Sequence, residues 1–184
     1  MSASSLSNLE RTLSQSKTKG GISSEPADGQ QMCGDIDMRI ARDGTWHYMG
    51  SPIGRMPLVK LFASVLQRDD SGDFWLITPA EMCRIQVDDA PFAAVEMTID
   101  RTGGRQNLIF RTNLDEIVTA GPENPIRVEV DPDSGEPAPY IKIRDGLDAL
   151  IGRAVFYDLV ESSPGVLGVW SSGEFFEIGS LHND

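Results

Sequence analysis

The segment best suited to holding a small anion is Ser51-Pro52-Ile53-Gly54-Arg55. Ser51 before Pro52 reads as a hydroxyl N-cap with proline at the first helical position. The free N–H groups of a helix start attract anions through the amides and the helix dipole. Arg55 adds a guanidinium that can grip a carboxylate or phosphate through two hydrogen bonds. Ordinary capping beside a surface arginine explains the same spacing. The segment is not a P-loop, because the Gly-rich run and the Gly-Lys-Ser/Thr are both missing.

The other reactive residues are few. Asp88-Asp89 can serve acid–base or metal chemistry, but adjacent strand residues face opposite ways, which favours turn chemistry before Ala90-Pro91-Phe92. The Asp-rich turns at Asp69 and Asp131 fail as EF-hand loops: the sixth position is Phe74 in one and Glu136 in the other, where glycine is required. His47 and His182 are the only histidines. A zinc site would have to draw on His47, Cys33 and Cys83, which show no close pairing, so no metal is expected. A Ser-His-Asp triad could use only His47, and no G-x-S-x-G accompanies it. Cys83 is expected to be a buried structural thiol rather than a nucleophile. Trp46, Tyr48, Trp75 and Trp170 can stack on a base, although aromatics in such strands are usually core. This inventory leads us to expect no enzyme and no cofactor.

The chain has 184 residues and a formal net charge of −12. Residues 1–33 are rich in Ser, Gly, Gln and Lys and read as a disordered tail; Leu6, Leu9 and Leu13 make at most a short, marginal helix. The three acids of this tail cancel its three bases, so the whole charge falls on residues 34–184. Such an acidic body repels phosphate backbones and anionic lipid, which argues against non-specific nucleic-acid binding or membrane association. One small anion in a local basic pocket remains compatible with it. Two cysteines 50 residues apart, with no apolar leader and no spanning run, point to the cytoplasm.

The elements that must position these residues follow from periodicity. Strands are expected at 35–41 and 45–49 around the turn Arg42-Asp43-Gly44. Leu58, Leu61, Phe62, Val65 and Leu66 make one helical face. Further strands are expected at 74–77, 84–87, 93–99, around Leu108 and Phe110, at 126–130 and at 140–143. Leu147, Leu150, Ile151, Ala154 and Val155 suggest a second helix, and a hairpin through Ser172-Gly173 closes the chain. Mostly antiparallel sheet with one helix per unit argues for an α+β fold, divided into units 34–80 and 81–184. An internal echo supports duplication: Arg42-Asp43-Gly44 recurs as Arg144-Asp145-Gly146, Ile53-Gly54-Arg55 as Ile151-Gly152-Arg153, and Phe74-Trp75 as Phe175-Phe176, at offsets near 100.

Arg42-Asp43-Gly44-Thr45-Trp46, Gly50-Ser51-Pro52-Ile53, Leu58-Val59-Lys60-Leu61-Phe62, Thr78-Pro79, Val87-Asp88-Asp89-Ala90-Pro91-Phe92 and Ile143-Arg144-Asp145-Gly146-Leu147 occur in this order. Together they resemble a proteobacterial domain family of unknown function, over residues 35–180. The resemblance implies a duplicated α+β core with a C-terminal unit like a pleckstrin-homology domain. It also implies a pocket between the units for a nucleotide-like ligand in signal transduction. No catalytic residue is implied. The expectation is therefore a regulatory module that senses a small anion through Ser51, Arg55, Arg42, Trp46, Arg144 and Arg153 and signals to a protein partner. A protein-interaction module without a ligand, and a small hydrolase using Asp88, Asp89 or Cys83, are the rivals.

Overall fold

In the computed structural model, which describes residues 25–132, 134–162 and 168–179, the chain divides at Asp89/Ala90 into two units. The N-terminal unit contains β1 (Gln31–Ile40), β2 (Trp46–Tyr48), β3 (Ser51–Pro52), α1 (Met56–Ser64), β4 (Leu66–Arg68), β5 (Phe74–Ile77) and β6 (Glu81–Val87). Its sheet order is β3-β2-β1-β6-β5-β4. Two antiparallel meanders are thus joined by one central parallel pair, β1 with β6. This pairing brings 81–87 into the first unit, so the boundary expected after residue 80 moves to 89. The strand expected from residue 35 begins at Gln31, which takes the end of the supposed tail into the sheet. The expected helix of Leu6, Leu9 and Leu13 lies outside the described residues.

The C-terminal unit contains β7 (Phe92–Asp100), a 3₁₀ turn at Thr102–Gly104, β8 (Asn107–Thr112), β9 (Ile117–Thr119), β10 (Ile126–Val130), β11 (Pro137–Arg144), β12 (Leu147–Ile151), α2 (Arg153–Glu161), β13 (Gly168–Ser171) and β14 (Glu174–Glu177). Its sheet order is β10-β11-β12-β7-β8-β9, again two antiparallel meanders joined by a parallel pair, here β12 with β7. Numbered within its own unit, each sheet reads 3-2-1-6-5-4. The expected two-unit, mostly antiparallel fold with one described helix per unit is therefore present.

The sequence echo marks a second repeat. In each case an antiparallel strand pair turns through Arg-Asp-Gly, an Ile-Gly-Arg segment leads to a nine-residue helix, and a hairpin carrying two adjacent aromatics follows. Gly44 and Gly146 hold φ of 83° and 72°, a left-handed conformation that a side chain would strain.

At two places competing strand pairings override the expected helix. Ser51 does not start a helix: Met49 (φ 48°) and Gly50 (φ 76°) form a two-residue hairpin turn that pairs Ser51 with Tyr48. Pro57, near the N-terminus of α1, is the proline that marks the helix start, and Arg55 is its N-cap without a side-chain hydrogen bond. Leu147 to Ile151 forms a strand, because Leu147, Ala149 and Ile151 alternate inward and pair with β11 and β7. The helix begins only at Arg153.

Phe62 and Ala63 of α1 are buried with Leu58 and Val59. Phe62 stacks on Trp46 with ring centroids 6.1 Å apart. Phe92, Leu108, Phe110 and Ile141 lie at the centre of the second core.

Candidate functional site

Asp69, only 6% exposed, shapes the turn before β5. Its Oδ1 accepts hydrogen bonds from the backbone N–H groups of Ser71 and Asp73, both at 2.9 Å, and its Oδ2 accepts one from Trp75 Nε1 at 2.8 Å. The turn presents Asp73 to Arg84 on the neighbouring strand β6. Arg84 Nη1 donates to Asp73 Oδ2 at 3.1 Å, and Nη2 donates to Asp35 Oδ2 at 2.9 Å, with a further hydrogen bond from Nε to Asp35 Oδ1. One guanidinium on β6 thus ties β1 and the turn before β5 together, and it lies 5.9 Å from the Trp75 ring centroid.

Beside this clamp the β1–β6 register slips. Asp35 faces Arg84 and Arg39 faces Gln86, so four steps along β1 match two along β6. A cleft of about 450 Å³ lies at this irregularity, lined by Asp35, Asp73, Phe74, Arg84, Gln86 and Asp88 among others. Its size is within the range of small-molecule sites. Three carboxylates against one guanidinium give it an acidic lining. Arg39 binds Asp88 through Nη2 at 2.9 Å, and Arg42 Nε lies 3.2 Å from Asp89 Oδ2. The Asp88-Asp89 pair is thus held by two arginines from the end of β1 and the turn after it.

The hydrogen bonds from Arg84 hold the Asp35 carboxyl below the usual carboxylate range. A depressed folded-state value means that its stabilising contribution is present above the unfolded value of about 3.9 and is lost as pH falls through the lower folded value. An NMR titration should find the Asp35 midpoint below the ordinary value, and Arg84→Ala should return it upward. An unshifted Asp35 would contradict the clamp.

The residues expected to bind an anion fall in both units. Ser51 and Arg55 are exposed, on β3 and at the α1 N-cap, and Arg42 is exposed in the β1–β2 turn. Trp46 is buried, its face packed on Phe62, and its Nε1 has no hydrogen-bond partner among the described residues. In the C-terminal unit Arg144 lies 5.4 Å from the Phe92 ring centroid and bonds Glu116 at 3.3 Å. Arg153 is the first residue of α2, 3.8 Å from Glu136. Ser51, Arg55, Arg42 and Trp46 therefore share the N-terminal unit with the cleft but do not line it. Arg84, Asp35 and Asp73 are the side chains that the sequence reading missed. The spacing Asp69-x-Ser71-x-Asp73, an acid that caps its own turn, was the local signal for part of this site.

Cys33 and Cys83 do come together. The β1–β6 register skips Cys33, pairing Met32 with Met82 and Gly34 with Cys83. Burial, together with the Cys33 thiol beside it, pushes the Cys83 thiol well above its usual range, as expected for a structural rather than a nucleophilic cysteine. His47 pairs with Arg39, five residues beyond Gly34 along β1, roughly 15 Å away at the rise of a strand. A Cys83–His47 pair is therefore excluded.

No functionally curated protein matches the chain. A crystal structure of a DUF1285 family protein from Silicibacter pomeroyi DSS-3 superposes with a TM-score of 0.78 at 45% identity, over 94% of this chain and 95% of that one. A second, from Shewanella baltica OS155, gives a TM-score of 0.53 at 28% identity, over 68% of this chain and 91% of that one. Residues 29–90 match the N-terminal domain of unknown function (DUF1285), and residues 91–178 match the C-terminal domain of the protein of unknown function (DUF1285). These boundaries agree with the division of the fold at 89/90, and the chain belongs to the DUF1285 family.

Proposed function

We propose that this protein is a non-enzymatic regulatory module of the cytoplasm that senses a small, nucleotide-like ligand and relays its presence to a protein partner. The observation that carries this reading is the cleft of the N-terminal unit, large enough for a nucleoside and built around a fixed guanidinium. Its carboxylates suit the amino and hydroxyl groups of a nucleoside. A ligand phosphate can compete with Asp35 or Asp73 for the Arg84 fork. Ligand entry would then loosen the tie between the strands, which couples occupancy to the conformation of the sheet. In the same reading the C-terminal unit is pleckstrin-homology-like. Its antiparallel meanders, followed by a helix after the last strand of the sheet, support that likeness.

A thermal-shift screen of the full chain against nucleosides, nucleotides and cyclic dinucleotides tests this. A ligand at 100 times its Kd should stabilise the fold by about 2.7 kcal/mol, a shift of several degrees. Arg84→Ala should abolish the response while the protein stays folded. Loss in Arg55→Ala with retention in Arg84→Ala would move the site to the start of α1.

A second reading is a protein-interaction module with no small ligand. Trp170 (57% exposed) and Phe175 (43% exposed) support it: their ring centroids are 5.3 Å apart on the β13–β14 hairpin, and exposed aromatics are typical interface anchors. A flat thermal-shift panel from a well-folded protein would favour this reading.

A further inference from the structure

We propose that Cys33, Glu81 and Cys83 form a binding site for a soft first-row dication, of which Zn²⁺ is the representative. The two sulfurs and a Glu81 carboxylate oxygen all lie within 4.8 Å of one another. Tetrahedral zinc with sulfur at about 2.3 Å places two thiolates roughly 3.8 Å apart. The group is therefore within about 1 Å of ligating geometry, a distance that side-chain rotation covers.

The backbone fixes this arrangement. Glu81 and Cys83 are alternate residues of β6 and project to one side of the strand. The register skip makes Cys33 the extra residue of β1 beside Cys83, and such bulges re-aim a side chain. Both strands are pinned next to the site. The Thr78 hydroxyl accepts hydrogen bonds from the N–H groups of Ala80 and Glu81, and Gln31 N–H donates to the Ala80 carbonyl at 2.7 Å. Gln30 Nε2 donates to the Thr78 carbonyl at 2.6 Å. Cys33 is exposed and Cys83 is buried, so the site has a solvent entrance and a rigid floor. Among the described residues, no hydrogen bond or ion pair engages the Glu81 carboxylate, which leaves it available as a ligand.

The donor set decides the class of ion. Thiolates select zinc and other soft ions over magnesium and calcium, which prefer all-oxygen shells. On binding, the two thiols give up their protons to solvent. The resulting thiolates and one carboxylate fill three positions of a tetrahedron, and the fourth is left for water or an exogenous ligand. An ion here would link the start of β1 to the start of β6, closing the central parallel pair of the N-terminal sheet. None of the three ligands lines the neighbouring cleft.

The test is a Co²⁺ titration of the reduced, chelator-stripped full-length protein, followed by Zn²⁺ displacement. We expect one equivalent of Co²⁺ to give thiolate-to-metal charge-transfer absorption and the visible bands of tetrahedral Co²⁺, both erased by Zn²⁺. Cys33→Ser, at an exposed position, should keep the native circular dichroism and weaken binding at least about 10–100-fold, the range lost with outer-shell partners alone. Glu81→Gln should weaken binding while leaving the charge-transfer absorption in place. Absence of thiolate bands in a folded, reduced protein would overturn the proposal. So would unchanged bands in Cys33→Ser. So would thiol titration showing the two cysteines joined as a disulfide, combined with no metal uptake after reduction.

Discussion

Phe62→Ala should destabilise the N-terminal unit by about 3–5 kcal/mol. Phe62 has no exposed surface, and its ring lies 6.1 Å from that of Trp46 at an interplanar angle of 18°. Alanine removes that stack and leaves a cavity between α1 and the sheet, walled by the Trp46 indole. The Trp46 N–H has no hydrogen-bond partner among the described residues, so the packing around it holds a polar group away from water. Solvent entering the cavity can satisfy that N–H, which offsets part of the loss of the stack and keeps the expected cost at the lower end of the range. Urea denaturation followed by tryptophan fluorescence measures the effect, because Trp46 and Trp75 are both buried in this unit. A Trp170→Phe background removes the exposed indole of the other unit. Phe62→Leu should cost substantially less, since it keeps most of the volume. A loss below about 1 kcal/mol for Phe62→Ala would mean that α1 is not packed on the sheet as described.

Asp69→Ala should cost roughly 2–4 kcal/mol, because three donors lose their acceptor at once and each buried orphan costs about 1–3 kcal/mol where water cannot replace the bond. Two of the donors are backbone N–H groups of the turn, and the third is the indole of Trp75. Asp69→Asn separates these contributions. Its carbonyl can still serve the turn, but its amide then meets the Trp75 N–H, donor against donor. We expect Asp69→Asn to fall between wild type and alanine in urea midpoint, with most of its deficit removed by Trp75→Phe. If the cleft binds a ligand as proposed, the same variant also disturbs that site. Gly72 and Asp73 line the cleft, and a slack turn withdraws Asp73 from Arg84. Asp69→Ala should therefore also lose the ligand response expected of the wild-type cleft. A fully responsive Asp69→Ala protein would dissociate the turn from the site.

Much of the architecture is legible in short-range pattern. The Arg-Asp-Gly turns, the strand at Phe74–Ile77, the apolar face around Phe62 and the final hairpin are encoded in residues a few positions apart. Local sterics and side-chain alternation suffice to specify them. The echo near an offset of 100 marks a real hairpin–helix–hairpin repeat for the same reason. Where two local signals compete, pattern alone fails. Ser51-Pro52 reads as a helix start, but the Met49-Gly50 hairpin turn takes Ser51 into a strand, and the helix begins only at Met56. Leu147 to Val155 fits a helical spacing until β11 and β7 take Leu147, Ala149 and Ile151 as a strand.

The candidate sites depended on information that no window of sequence contains. Arg84 meets Asp35 across 49 residues, and Cys83 meets Cys33 across 50. Both meetings arise from one parallel pairing, β1 with β6, and from its register. Parallel strands need a long connection, and their pairing is fixed by burial of both partners in a common core rather than by a turn. The sequence by itself determined an acidic two-unit chain with its turns, its main strands and an echo of its repeat. Only the tertiary structure decided which distant side chains share a cleft and which two thiols lie beside a carboxylate, because a register between strands separated by some forty residues is set by global packing.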